Sequence, residues 1–285
     1  MIIPERARDI GGHVVGRLLP FRKKRQIGPF TFIDHMGPAV LNSSDNFDVD
    51  QHPHVGLCTL TYLFEGAVEH RDSTGAYRVI QAGDVGLMTA GRGVAHTERT
   101  PEELRKVNNR KMHGYQIWLA LPTHLEEMEP RFDYVANDDH PKWKERGLEL
   151  KLLAGNGFNR TSALPVHSEL FLVELKAIES TSLNLSDCDL TGEIGIIVIS
   201  GAIQLESETI NQNNLLYMES AKNEIQIEAN SHLLLLGGEP FPEERFLLWN
   251  FVSSSKERLE KARKDWINKE FPAIPGDNTY VPFPT

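Results

Sequence analysis

Disulfide chemistry has almost nothing to work with in this chain: its 285 residues include two cysteines, Cys58 and Cys188. They lie far apart and form no CxxC pair, which argues against a stapled secreted scaffold or a zinc knuckle and suits a reducing cytoplasm. Positive charge is short as well. Lys and Arg total 30 against 40 Asp and Glu, a formal net charge of −10, so neither nucleic acid nor an anionic membrane surface is an expected partner. A small or neutral ligand fits better. The one concentrated basic run, RKKR at Arg22–Arg25, reads as a solvated loop. Long apolar runs are missing: LLLL at Leu233–Leu236 falls far short of a bilayer span, and MIIPERARDIGG has no charged-then-apolar leader. The expectation is a soluble, unprocessed protein. A hydrophobic content of 40% is enough for one large core or two ordinary ones.

Between about residue 28 and 122 the sequence breaks into short segments rich in β-branched and aromatic residues, such as PFTFIDHMG, LCTLTYLFEG, YRVIQAGD and YQIWLALP, separated by glycine-containing turns. A Pro- and charge-rich stretch follows. Strand-like segments then resume with LELKLLAG, LFLVELKA, IGIIVISG and EIQIEA. The text around Gly66, LFEGAVEH, is echoed around Gly201 by VISGAIQL, which fits two copies of one β-unit. Near the end, SSSKERLEKARKDWI is the clearest helix: Ser254 and Glu257 suggest a capping box, and Leu259, Ala262, Trp266 and Ile267 mark an apolar face. The proline-bearing tail after it reads as extended.

Two motifs carry chemistry. In QHPHVGLCTLTYLFEG, His52 and His54 differ by two and project to one face of a strand. In TAGRGVAHTERT, Gly91 and Gly93 permit a tight turn directly before His96 and Glu98, again two apart. Two such strands facing one another would gather three imidazoles and one carboxylate, a set suited to a divalent transition metal. Four protein ligands leave two octahedral positions open, as a catalytic centre needs and a closed structural zinc does not. Continued alternation would put Cys58 on the same face as the two histidines. A polar decoration of the strand is the alternative for the HxH pair, and a small buried hydrophobe the alternative for Cys58.

At these residues the sequence resembles the pirin family of two-domain cupins. HPH, TYLFEG, HRDSTG, GDVGLMTAGRGVAHTER and YQIWLALP read like the pirin N-terminal domain, and GGEPF, WNFVSSS and the charged helix like the C-terminal one. The resemblance implies an all-β bicupin: two cupin-type jelly-roll β-barrels with a C-terminal helix. It divides the chain into residues 1–125 with the metal site, a connection at 126–148, a metal-free barrel at 149–240, and helix plus tail at 241–285. The family's ligand set falls on His52, His54, His96 and Glu98, for one divalent ion, Fe2+ first, with Mn, Co, Ni, Cu or Zn open. Pirins commonly have a glutamate where this chain has Cys58, so a thiol there is expected beside the ion. The second half has no HxH; Asp187 and Asp189 fall at the equivalent positions and read as solvated. His35 and His113 are further candidates for the pocket wall, and His70, in a supposed hairpin turn, reads as surface.

Some pirins are similar to quercetin 2,3-dioxygenases, so the resemblance implies a small aromatic substrate such as a flavonol, opened with O2, with Glu98 taking the substrate proton. The alternative is a redox-responsive regulatory protein that holds the same metal, binds a transcription factor or metabolic enzyme, and turns nothing over. Direct contact with nucleic acid or membrane is expected under neither.

Overall fold

The computed structural model describes residues 1–10 and 12–284. By contacts the chain divides into two compact units, each drawn from several stretches: residues 1–8, 16–33 and 138–241 form one, and residues 9–15, 34–137 and 242–285 the other. Both are built from antiparallel strands.

The first unit pairs a long sheet with a short one. The long sheet runs Ile2–Pro4, Asn214–Met218, Glu193–Ser200, His232–Gly238, Leu170–Ala177, Leu148–Gly157, Lys142–Glu145; the short one runs Thr181–Asn184, Glu224–Ile227, Ala202–Leu205, Glu208–Asn211. Alternate residues such as Leu150, Leu152, Val173, Leu175, Ile196 and Val198 form one buried core; the intervening Leu172, Ile197 and Leu234 are buried as well, so the central strands are near-continuous apolar runs, as in a sheet covered on both faces. Within the RKKR run Arg22, Lys23 and Arg25 are exposed, while Lys24 is half-buried, paired with Glu193 and 4.4 Å over the Tyr217 ring. Asp187 and Asp189 are exposed.

The second unit holds the motifs. Its four-stranded sheet runs Asp48–His54, Val94–Arg99, Ala67–Asp72, Tyr77–Gln81; facing strands run Arg131–Val135, Val85–Thr89, Leu57–Glu65, Arg110–Ala120. Two strands therefore lie within the stretch read as a connection, Arg131–Val135 in this unit and Lys142–Glu145 in the other. Glycine makes the corners. Gly56 has φ +70°, and a Cβ there would meet the Val252 carbonyl oxygen at 2.0 Å; Gly91, at φ +51°, would meet that of Met128 at the same distance. The Gly56 amide donates to the Gly91 carbonyl at 2.9 Å, so the corner after HPH and the corner before AHTE are tied together.

The C-terminal segment belongs to this unit. Phe246–Leu248 and Phe251–Ser253 form a hairpin, and Val252 N donates to Val55 O at 3.0 Å, directly beside His54. The helix spans Lys256–Ile267. Its cap is Ser255 rather than Ser254: Ser255 Oγ accepts from the Arg258 amide at 3.2 Å, while Ser254 N and Oγ donate to Glu126 at 2.8 and 3.2 Å. Leu259, Ala262 and Trp266 are buried with Val55, Ala95 and Phe251, whereas Ile267 is 47% exposed and lies off the packed stripe. The tail is extended but anchored, since Trp266 Nε1 donates to Val281 O at 2.9 Å and Val281 N to Gln51 O at 2.9 Å.

Candidate metal centre

Strand register places the motif residues in rows. Across Asp48–His54, Val94–Arg99 and Ala67–Asp72, His52 lies opposite His96 and His96 opposite Asp72, while His54 faces Val94 and Glu98 faces His70. Directly opposed residues share a face, so His52, His96, Asp72, Glu98 and His70 all look into the same barrel. The His52 and His96 rings are 4.2 Å apart between centroids, and His54 lies 5.0 Å from His96. One ring nitrogen from each of the three lies within 4.8 Å of the others. The three histidines can hold a metal ion.

Which nitrogen faces the common point follows from what the other one does. His52 Nδ1 is 2.8 Å from the Asp50 carbonyl oxygen and His54 Nδ1 is 3.1 Å from that of Asn250. A carbonyl only accepts, so both rings carry the proton on Nδ1 and keep the Nε2 lone pair free. His96 Nε2 is buried without a hydrogen-bond partner, and a bound ion would satisfy it. Burial holds all three rings below the usual imidazole range, with the neighbouring histidines adding to it at His54 and His96; at His52 the Glu98 charge opposes it in part. Neutral, buried, convergent imidazoles are what a divalent transition ion requires.

Glu98 stands apart from this trio. Its Oε1 accepts from Gln116 Nε2 at 2.6 Å, and Thr61 Oγ1 lies 3.4 Å away. Thr61 and Gln116 are themselves joined at 2.8 Å. The pairing of these strands carries a bulge on the Asp48–His54 side, with His96 opposite His52 but Glu98 opposite Val49. The wall beside His54 is Trp118, edge-on at 5.0 Å between centroids.

His70 is not a surface residue. It is 3% exposed, its Nδ1 is 3.4 Å from His96 Nδ1, and its Nε2 is 2.9 Å from Asp72 Oδ2. The ring stacks on Phe132, with centroids 4.3 Å apart. Burial alone would raise the Asp72 carboxyl; hydrogen bonds from His70 and Thr74 outweigh it and hold the group below the ordinary range. The signal was available in HRDS, where His70 and Asp72 are two apart on a strand and share its face.

Three other expected residues do not reach the centre. Thr61 touches Glu98, so the odd-numbered positions of Leu57–Glu65 face the barrel interior and Cys58, three positions earlier, faces away. Its thiol donates to Thr89 Oγ1 at 3.4 Å. The alternation that put it beside the histidines ends at the Gly56 corner, where the chain passes from one sheet to the other. Likewise Gln116 faces inward, so His113 and Tyr115 face outward. His35 joins them there, with its Nε2 2.9 Å from His113 Nε2 and its ring stacked on Tyr115 at 4.6 Å. Asn250, Gln116, Thr61 and Asp50 were not legible as site residues: two act through backbone carbonyls, which no side chain announces, and Gln116 and Thr61 sit singly in apolar strands.

Comparison with known proteins agrees with this geometry. Residues 12–119 match the pirin family model and residues 172–272 the pirin C-terminal cupin domain. A pirin-like protein of Caulobacter vibrioides is 40% identical over 272 residues, 93% of this chain and 92% of that one. A crystal structure of quercetin 2,3-dioxygenase from Acinetobacter baumannii is 34% identical, superposes with a TM-score of 0.90, and is matched over 100% of this chain and 95% of its own. A bacterial pirin from Escherichia coli, solved in complex with nickel(II), shares the fold at 21% identity and a TM-score of 0.64, over 84% of this chain and 99% of its own. With both family models matched and the three-histidine cluster in the barrel that the first one covers, the chain belongs to the pirin family of two-domain cupins.

Proposed function

We propose that this pirin is a metal-dependent dioxygenase that opens a flavonol-type aromatic with O2, with His52, His54, His96 and Glu98 as the ligand set. The observation that carries the reading is the convergence of three neutral, buried imidazoles in one barrel. A divalent transition ion bound there, with iron(II) the first expectation, supplies Lewis acidity and the redox chemistry that a closed-shell substrate needs to react with O2.

The chain's own residues do the rest. Gln116 ties down Glu98 Oε1 and leaves Oε2 to face the ion or to take the proton of a substrate hydroxyl. Trp118 packs edge-on against His54 and fixes that ring, while burial of the three imidazoles keeps bulk water from their lone pairs. The Acinetobacter baumannii dioxygenase, at 34% identity over the whole chain, supports the choice of a flavonol. A reducing cytoplasm is the compartment that suits two buried thiols and an Fe2+ centre.

The test is oxygen uptake by metal-loaded protein over a panel of flavonols. Flavonol-dependent uptake that disappears in His96→Ala and falls about 10- to 100-fold in Gln116→Leu is the expected result. Loaded protein that consumes no oxygen with any flavonol would overturn the catalytic reading and leave a regulatory one.

A further inference from the structure

We propose that His70 and Asp72 form a positioning pair that fixes the tautomer of His96 and thereby keeps its Nε2 open to metal. The inference rests on the reading of His52, His54 and His96 as a metal centre, and it follows from counting protons along one chain of contacts.

Asp72 is the fixed end. Its Oδ1 accepts from Thr74 N at 2.8 Å, Thr74 Oγ1 at 2.6 Å and Ala76 N at 3.2 Å. Its Oδ2 is therefore the oxygen left for His70. An ionised carboxylate only accepts, so the His70 proton must sit on Nε2, 2.9 Å away. In the neutral ring Nδ1 is then an acceptor. The atom it meets, at 3.4 Å, is His96 Nδ1, which must carry the proton of that ring. His96 Nε2 is left with a bare lone pair, and that is the atom buried without a partner. Phe132, stacked on His70 with centroids 4.3 Å apart, fixes the plane of that ring. His52 and His54 have their tautomers set by backbone carbonyls, which cannot be mutated away; His96 alone depends on side chains.

The isosteric change Asp72→Asn gives a sharp consequence. Three donors converge on Oδ1, so the new amide must keep its oxygen there and turn its NH2 toward His70. Nε2 of His70 must then accept, Nδ1 must donate, and the His96 proton is driven onto Nε2, where it blocks metal. An aspartate-to-asparagine change behind a histidine is known to act in this way, through the wrong tautomer and with geometry intact. His70→Phe removes the instruction without reversing it. His70→Gln, with an oxygen for His96 and an amide for Asp72, should restore it.

The experiment has two arms. Long-range 1H–15N NMR on metal-free protein reads the His96 tautomer directly; the proton should be on Nδ1 in the natural chain and in His70→Gln, and on Nε2 in Asp72→Asn. Competition for cobalt(II) against a chromophoric chelator should show affinity lower by roughly 10- to 100-fold in His70→Phe, with a larger loss in Asp72→Asn. A natural chain with its His96 proton on Nε2, or an Asp72→Asn variant that folds with unchanged tautomer and cobalt affinity, overturns the proposal. If Asp72→Asn fails to fold, equal cobalt affinity in His70→Phe and the natural chain overturns it instead. Tautomers that behave as stated in a natural chain that binds no cobalt leave the pair standing and sink the metal reading alone, which separates the two failures.

Discussion

A buried nitrogen without a partner costs the metal-free protein about 1–3 kcal/mol, and His96 Nε2 is such an atom. Replacing His96 with Leu removes that cost but strips His70 of its 3.4 Å contact, and the two changes oppose one another. His96→Leu should therefore leave metal-free stability within about 1 kcal/mol of the natural chain while abolishing metal binding. Urea melts beside elemental analysis check this; a variant that cannot fold without the imidazole would make the site structural. The thiols behave differently from what their family position suggests. Burial pushes both Cys58 and Cys188 up to about 12, so neither should react with a disulfide reagent at pH 8 until the protein is unfolded, and Cys58→Ser should not change metal content. Rapid modification of either thiol in folded protein would contradict this. The three histidines were legible because metal binding concentrates identifiable residue types at short spacing. Cys58 misled because parity holds only within one strand.

At the scale of elements, the strand that carries both HPH histidines is an edge strand, and the tail covers its open side. Gln51 N donates to Thr279 Oγ1 at 3.1 Å, and Val281 N returns a bond to Gln51 O at 2.9 Å. That cover hangs on Trp266, which is stacked on Tyr280 at 4.6 Å and bonded to Val281. Trp266→Ala should cost about 3–5 kcal/mol and free the tail, with faster amide exchange at Gln51 and weaker metal binding through the loosened Asn250 carbonyl. Unchanged exchange at Gln51 would show that the tail holds itself. The same edge carries acid sensitivity. Burial would raise the carboxyls of Asp277 and Asp48, but hydrogen bonds from Thr279 and from Arg105 respectively, with the arginine charges, hold both below their ordinary value of 3.8. A depressed acid adds stability that is fully present above its unfolded value and is lost as pH falls through the folded one. The tail should accordingly begin to loosen only below about pH 4, as followed by Trp fluorescence. The helix itself was readable from its apolar spacing, although its cap was misplaced by one residue because Glu126, distant in sequence, claims Ser254.

Across the whole molecule, strand rhythm announced the all-β class, and the family motifs announced the two barrels; neither announced that the units interleave. Ile2–Pro4 pairs with Asn214–Met218 in the unit that is otherwise mostly residues 138–241, and a three-residue strand carries too little pattern to name so remote a partner. Expressing residues 1–137 and 138–285 as separate chains should therefore yield two poorly folded products, since the second lacks Ile2–Pro4 and residues 16–33 and the first lacks residues 242–285; two independently folded halves with native melting would contradict it. The same pairing bears on synthesis. Ile3 leaves the ribosome long before Leu215, the residue it faces, and at about 5–20 residues per second the delay is on the order of 10–40 s. For that interval an apolar strand has been translated and its neighbour has not, so the newborn chain is open to chaperones at that strand even while the barrel that gathers the three histidines is taking shape behind it.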